Sequence, residues 1–514
     1  MTAAGTVTGG LLGPELRPLT VSLMSSITLV AYNNLAVTAA LPDIGNDLGS
    51  VDLLPSVVTV ELLASAIAVL AIGPLVDSIG VRVVYRVSMV GFVAASILCA
   101  VAPAMLVLVG ARVAQGLAAG GVIGSTLSSI GLAFEPAMRP RMYAAISAVW
   151  GVLGVAGPAV AAVLISVLGW RWVFLVIVPI GIPAMLIGWS RLPGRRTTAG
   201  AADPAETVTS RFDGVGLAVV TVVTVCLLIG ASTPSLVAIA YLAAGAIGFV
   251  AYLAHARRVA DPVVRLEHLT GARWRNIHLT STLAVGGGTG ASAFLPVYLT
   301  GARGFSTGAA AFSVLYMVIG WSLAAAVASR LLDHRQPPPV ITLGTTLLAA
   351  GCVGATLAAG AETPTAVLFA CFVVLGAGIG LVTTAGLALL QSRARAEEMG
   401  RASSAHQFLR SLGFAYGAAL AGLVLFWVIG RRIDDVEAIR GLLGDDGAAA
   451  LSTEARDALQ AGYVAALGVM AVVASGTVVS AWRLRRERPV DPDPTSNPTP
   501  DPDPTPDPTP TPGG

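Results

Sequence analysis

The sequence predicts an all-α polytopic membrane protein with fourteen transmembrane helices, and three observations carry that reading. Charged residues make up 12% of the 514 residues and hydrophobic ones 55%, whereas a soluble domain carries about 25% charged residues. Apolar runs of about 20 residues, the length that crosses a bilayer as a helix, recur along the whole chain. Arginine is spread unevenly between the connections that alternate across the membrane.

Residues 1–18 form a short cytoplasmic N-terminus whose only charges are Glu15 and Arg17, unlike a cleaved signal peptide. An N-terminal six-helix bundle then occupies 19–190, with spans at 19–41, 54–74, 86–103, 104–131, 143–166 and 172–190. Each run is bounded by charge, proline or glycine. Region 191–276 holds a polar cytoplasmic linker (191–213) and two further spans, 214–231 and 234–256, separated by almost nothing. A C-terminal six-helix bundle follows over 277–483, with spans at 277–300, 308–332, 338–360, 364–392, 402–430 and 462–483. Its outer loop, 431–461, is charged and helix-prone, and reads as a small external helical cap or a solvated loop. Residues 484–514 are a cytoplasmic basic stub and a Pro/Asp/Thr tail that cannot bury a core, hence disordered and PPII-like.

With both termini cytoplasmic, 23 arginines fall on the cytoplasmic side. Six lie outside: Arg171, Arg303, Arg431, Arg432, Arg440 and Arg456. Four of those six share the long outer loop, which weighs little in the positive-inside rule. An odd number of spans scrambles the asymmetry. Arg112 and Arg410 remain within spans.

All 31 basic residues are arginine. A P-loop needs lysine after its glycine-rich turn, so active transport by this chain draws on an ion gradient or a partner. No H-E-x-x-H, G-x-S-x-G or Cys/His metal spacing occurs, so neither an enzyme, a metal site nor a cofactor is expected. Cys99, Cys226, Cys352 and Cys371 all lie in apolar runs and read as packing residues. The expected partners are the lipid bilayer, an amphiphilic small molecule and protons, with no nucleic acid, and the chain is expected to be a monomer.

Glu61 stands about eight residues inside the second span, roughly 12 Å deep. A carboxylate there costs at least a few kcal/mol unless protonated, paired or wetted, which makes it a candidate proton carrier. Asn33 and Arg112 fall at a similar depth in spans one and four. Arg112 cannot lose its proton and needs carboxylate, carbonyl or water partners. Two readings stay open: a Glu61–Arg112 pair for which proton and substrate compete, or a static bridge that fixes helix packing. His406 and Arg410, one helical turn apart on span thirteen, are either an anion-friendly patch or structural residues. Tyr32, Asn34, Tyr298, Tyr316 and Trp321 are candidate substrate contacts, because amphipathic aromatics and amides suit drug-like ligands; each can also serve packing alone. Asn33 and Gln115 are counted with these candidates.

Between spans two and three runs GPLVDSIGVRVVY, with Gly73, Leu75, Asp77, Gly80 and Arg82 at the positions of G-x-L-x-D-R-x-G-R-R/K. Here the chain resembles the major facilitator superfamily. Glycines let helix ends approach closely, and the aspartate can accept from a neighbouring helix N-terminus or an arginine. The resemblance implies a cytoplasmic latch that stabilises the outward-facing state, although Ser78 and Val81 replace its usual basic residues. Arg112, Gln115 and Gly116 are similar to the family's R-x-x-Q-G motif, associated with proton coupling. Gly157 and Pro158 are similar to the antiporter signature ending in G-P-x-x-G-G, with Ala161 and Ala162 in its last places, which implies export. The stretches 170–181, 295–308 and 400–417 resemble the fourteen-span drug:proton antiporter branch, the multidrug and antibiotic efflux transporters. So does GAGIGL at 376–381, which follows no strand and reads as helix packing rather than a nucleotide loop. SRLLDHR at 329–335 is a worn repeat of the latch segment. Covering 19–483, the resemblance implies two six-helix bundles plus two inserted spans, with substrate bound near the midplane between them.

The chain departs from the branch where it matters most. Its usual span-one aspartate is Asn33 here, which does not titrate, and Glu61 takes the place of a span-two tyrosine. The expectation is a carboxylate moved from span one to span two, facing Arg112. The function that follows is a secondary active transporter of the cell membrane, exporting a drug, an antibiotic or a secondary metabolite in exchange for protons. A proton-independent facilitator or symporter is the alternative, and after it a non-transporting sensor on the same fold.

Overall fold

In a computed structural model of the chain, residues 13–49, 53–192, 213–232, 236–267, 271–395, 398–433 and 452–487 are described. Nearly all of the 191–213 linker, the core of the 431–461 loop and the Pro/Asp/Thr tail lie outside them. The described residues form helices only: α1 (Arg17–Leu48), α2 (Leu54–Ile79), α3 (Val81–Ala100), α4 (Met105–Ala133), α5 (Arg139–Leu168), α6 (Arg171–Leu175), α7 (Ile177–Arg191), α8 (Gly214–Ser232) and α9 (Leu236–Ala256). After these come α10 (Ala272–Ala293), α11 (Leu295–Gly301), α12 (Thr307–Ala311), α13 (Val314–Leu331), α14 (Pro337–Gly360), α15 (Thr365–Arg393), α16 (Met399–Ile429) and α17 (Thr453–Arg486).

Among the described residues ten helices are long and apolar enough to cross a membrane, or eleven if α5, bent by 44° between Gly154 and Ala156, counts as one span. That is fewer than the fourteen expected. Of α8 and α9, only Gly214–Cys226 and Ala243–Ala256 register, as shorter apolar helices. The ninth expected span is α10, which begins at Ala272 and carries Arg273, Arg275, Asn276 and His278 in its first two turns. Inside a protein bundle such polar residues are tolerated, whereas a lipid-facing helix excludes them.

Other boundaries differ for local reasons. The sixth expected span is one apolar span, Arg171–Trp189, in which a single turn residue with helical dihedrals, Val176, separates α6 from α7. The ninth continues past a break at Phe294 into α11. Helix α17 starts at Thr453, capped by the Ser452 hydroxyl, which accepts from the Ala455 N–H. The last part of the outer loop is thus the beginning of the final long helix, not a separate cap. Pro158 lacks the N–H that would bond to the Gly154 carbonyl, and α5 bends there.

Side-chain contacts sort the helix ends onto two faces. On one face, Arg82 ties the start of α3 to the end of α7 by donating from Nε to the Leu192 carbonyl at 2.7 Å. The same face holds Arg393–Glu487 at 2.9 Å, joining the ends of α15 and α17, and Arg141–Asp333 at 2.9 Å, joining α5 to the end of α13. Helix α1 starts on this face and α17 ends on it, so both ends of the helical body share it; we call it the terminal face. On the opposite face, Asp47 accepts from Arg171 at 2.5 Å and from Trp170 at 3.0 Å.

Glycine sets the closest helix crossings. A Cβ on Gly376 or Gly380 of α15 would stand 2.0 or 2.3 Å from the Met317 or Trp321 carbonyl oxygen of α13. One on Gly378 would stand 2.4 Å from the Leu348 nitrogen of α14. GAGIGL is therefore a packing element between three helices. Helices α8 and α9 pack on each other and lie beside the α2/α16 seam, where Tyr252, Val263 and Val264 cluster with Leu70 and Phe408.

Candidate functional site

Helices α1, α2, α3 and α4 bring a polar cluster into the apolar interior of the first half. Glu61 and Arg112 are both fully buried, and Arg112 Nη2 stands 3.5 Å from Glu61 Oε2. The other guanidinium bonds are shorter and go to neutral acceptors. Nε donates to the Val57 carbonyl at 2.8 Å, and Nη1 to Asn33 Oδ1 at 3.1 Å and Gln115 Oε1 at 2.5 Å. Gln115 Nε2 donates onward to Ser96 at 2.8 Å. Asn34 faces Glu61 from α1; with its amide nitrogen turned towards the carboxylate it donates to both oxygens, at 3.1 and 2.9 Å. Glycine makes this possible, because a Cβ on Gly116 would lie 2.3 Å from the Glu61 carbonyl oxygen.

Glu61, Arg112, Asn33, Asn34 and Gln115 therefore meet in one place. Helical period and depth suggested the first three; the Asn34 contact and the Val57 carbonyl were not foreseen. Tyr32 is buried nearby on α1, its hydroxyl without a hydrogen-bond partner among the described residues.

The latch segment sits on the terminal face. Asp77 Oδ1 accepts from the Gly400 N–H at 2.8 Å and Oδ2 from the Arg401 N–H at 3.0 Å. It thereby caps the N-terminal turn of α16, where unbonded amides and the helix dipole favour an anion. A Cβ on Gly73 would stand 2.9 Å from Arg401 Cα, so this glycine is what lets α2 reach α16. Gly80 turns the chain into α3 at φ 87°. Arg82 binds the end of α7 instead of α16. Two partners of the seam were not anticipated: Asp261, 3.3 Å from the Arg401 guanidinium, and Gln391. Gln391 Nε2 donates to the Leu127 carbonyl at 3.0 Å, and its Oε1 accepts from the Tyr143 hydroxyl. A lone amide at the end of an apolar span was the available signal.

The remaining candidates are dispersed. Tyr298 is stacked on Tyr463, with ring centroids 4.6 Å apart, and its hydroxyl accepts from Arg303 at 2.8 Å. Tyr316 is exposed and stacked on Phe369, and Trp321 is stacked on Phe414. Gly157 approaches Leu35 of α1, where an added Cβ would meet the Leu35 Cβ at 3.3 Å. His406 is buried with its Nδ1 3.1 Å from that of His278 on α10. Arg410 donates to Gln407 at 3.3 Å. Among the described residues no group of three or more His, Cys, Asp or Glu is placed to hold a metal ion.

Known proteins place this architecture. The profile of the Major Facilitator Superfamily matches residues 21–418. The chain belongs to the major facilitator superfamily. It is 27% identical over 420 residues to the multidrug transporter protein MdtP of Bacillus subtilis (strain 168), covering 80% of this chain and 76% of that protein. It is 28% identical over 490 residues to the puromycin resistance protein pur8 of Streptomyces alboniger, covering 93% of each. The crystal structure of the human organic anion transporter MFSD10 (TETRAN) aligns with a TM-score of 0.60 over 91% of this chain and 99% of that one, at 14% identity. At that identity the likeness concerns the fold alone. The protein is thus a multi-pass, all-helical membrane protein of a transporter superfamily.

Proposed function

We propose that the protein is a drug-efflux transporter that exports an amphiphilic small molecule in exchange for protons by alternating access. In this reading it has fourteen spans with both termini cytoplasmic, so the terminal face is the cytoplasmic one, and Glu61 carries the proton. Relatives named for multidrug transport and for puromycin resistance support efflux as the direction and drug-like molecules as the cargo.

The observation that carries the proton step is the way Arg112 is held. Removing one partner of a buried ion pair ordinarily strands the other charge at a cost of about 3–5 kcal/mol. Here the guanidinium keeps three neutral acceptors, Val57, Asn33 and Gln115, whatever Glu61 does. Glu61 can therefore take a proton without leaving Arg112 unsatisfied. Asn34 suits both states, because a carboxamide donates to a carboxylate and, rotated, accepts from a carboxylic acid. A static bridge would place the carboxylate in a short, two-toothed contact, whereas the 3.5 Å approach to Glu61 is longer than each bond that Arg112 gives to a neutral group.

In alternating access, Asp77 at the α16 N-terminus would hold the cytoplasmic ends of the halves together while Glu61 exchanges its proton on the far side. Drug-dependent proton release from acid-loaded inverted vesicles tests the reading, with the native protein compared with Glu61→Gln. Release by the native protein and none by a variant that still binds the compound is the expected result. Release that survives the substitution assigns the proton to another group, and drug export that ignores the proton gradient points to a facilitator.

A further inference from the structure

We infer that His406 and Arg410 of α16, with His278 of α10 behind them, form a binding site for the acidic group (a carboxylate, sulfonate or ionised phenol) of the exported amphiphile. This rests on the export reading and names the charge of its cargo. Arg410 lies eleven residues into α16, roughly 16 Å from the terminal face, yet its hydrogen bonding is poor. Its hydrogen-bond partner among the described residues is one neutral amide oxygen at 3.3 Å, and its Nε is buried without an acceptor among them. No ion pair of the described residues includes it. Arg112 in the other half has four partners. A cation at membrane depth persists where an anion or a dense set of acceptors meets it, and this one has neither among the described residues.

The histidine pair adds a directed donor. Two Nδ1 atoms 3.1 Å apart share one hydrogen, so one ring donates and the other accepts. With His278 as donor, His406 carries its own hydrogen on Nε2. That nitrogen is buried and has no partner among the described residues, one helical turn from Arg410. An anion lying between them would accept from His406 Nε2 and from the Arg410 guanidinium, and would select this tautomer. Ser281 and Thr282, one turn beyond His278, also hold buried hydroxyls without partners among the described residues, which are further donors for a polar head larger than a single ion. Among the described residues no carboxylate bonds to Arg410 or His406, so within them an acidic ligand displaces no carboxylate partner.

Equilibrium binding without any gradient tests the site. Fluorescein, an anion, and rhodamine 6G, a cation on the same ring system, are titrated by anisotropy into protein in phosphatidylcholine nanodiscs. The native protein is expected to prefer fluorescein. Arg410→Gln should weaken fluorescein about tenfold, the scale of one charge-assisted contact, and leave rhodamine 6G unchanged. Arg410→Lys should recover part of the loss, and His406→Gln should weaken fluorescein to a lesser degree. Equal affinity for both dyes, no binding of fluorescein, or a parallel loss of both dyes in Arg410→Gln overturns the assignment. Anionic phosphatidylglycerol discs that abolish fluorescein binding to the native protein show a lipid phosphate in the site, which also overturns it. Proton release from vesicles is read separately: a protein that exchanges protons yet shows no preference for the anion loses this site and keeps its exchange.

Discussion

Gly116 brings α4 so close to α2 that a Cβ on it would stand 2.3 Å from the carbonyl oxygen of Glu61. The same glycine lies one residue beyond Gln115, which holds Arg112, so the approach of the two helices and the polar cluster are one construction. Gly116→Ala is expected to cost about 1–3 kcal/mol through overpacking and to abolish transport by pushing Arg112 away from Val57 and Glu61. Gly110, on the same helix with nothing within 4 Å of its would-be Cβ, is the control. Thermal unfolding in detergent should fall for Gly116→Ala and stay near native for Gly110→Ala.

Substitution of the two ends of the Glu61–Arg112 pair should be unequal. Glu61→Gln keeps a neutral group of the same shape beside a guanidinium that retains its other acceptors, so the protein should melt close to the native temperature. Arg112→Leu strands Glu61, the Val57 carbonyl, Asn33 and Gln115 together, and should destabilise by about 3–5 kcal/mol. Melting curves of both variants check this, and equal losses would indicate a static bridge.

Asp77→Asn removes the charge that accepts from Gly400 and Arg401. Capping by an ionised group contributes about 1–2 kcal/mol, so the seam between α2 and α16 should open more often on the terminal face. Spin labels at exposed ends of α2 and α16 should report a larger long-distance population in the variant, with the helices otherwise intact.

Asp47, beyond the first span on the opposite face, gives a pH prediction. Hydrogen bonds from Arg171 and then Trp170 hold its carboxyl below the ordinary value of 3.8. A folded-state value below the unfolded one means that the stabilisation is present above pH 3.8 and is lost as pH falls through the lower folded value. Melting temperature should therefore decline more steeply on acidification in the native protein than in Asp47→Asn. Identical slopes would remove Asp47 from the acid response.

Much of this architecture is legible in the residues because a bilayer leaves a chain few options. Backbone groups must bond internally, so apolar runs become helices, and their length and the rise per residue give depth. That arithmetic places Glu61, Asn33 and Arg112 at one level, and it places His406 one turn from Arg410. It reads less well where protein rather than lipid surrounds a helix. The first turns of α10 carry arginine, asparagine and histidine, and the first turns of α17 lie in what reads as a charged loop, because neither segment has to be apolar there.

The sequence by itself determined the membrane-helical class, the superfamily and the depth of the polar residues. Only the tertiary structure decided which of them touch. Depth is a one-dimensional quantity, whereas contact depends on how each helix is rotated about its axis and which neighbour it meets. Rotation turned Asn34 onto Glu61, gave the closest bonds of Arg112 to neutral groups, and set His278 beside His406 across 128 residues of chain. It joined Asp77 to amides 323 and 324 residues away while sending Arg82 to Leu192. These choices follow from where glycines allow backbones to approach, and packing between helices, not hydropathy along one, fixes that.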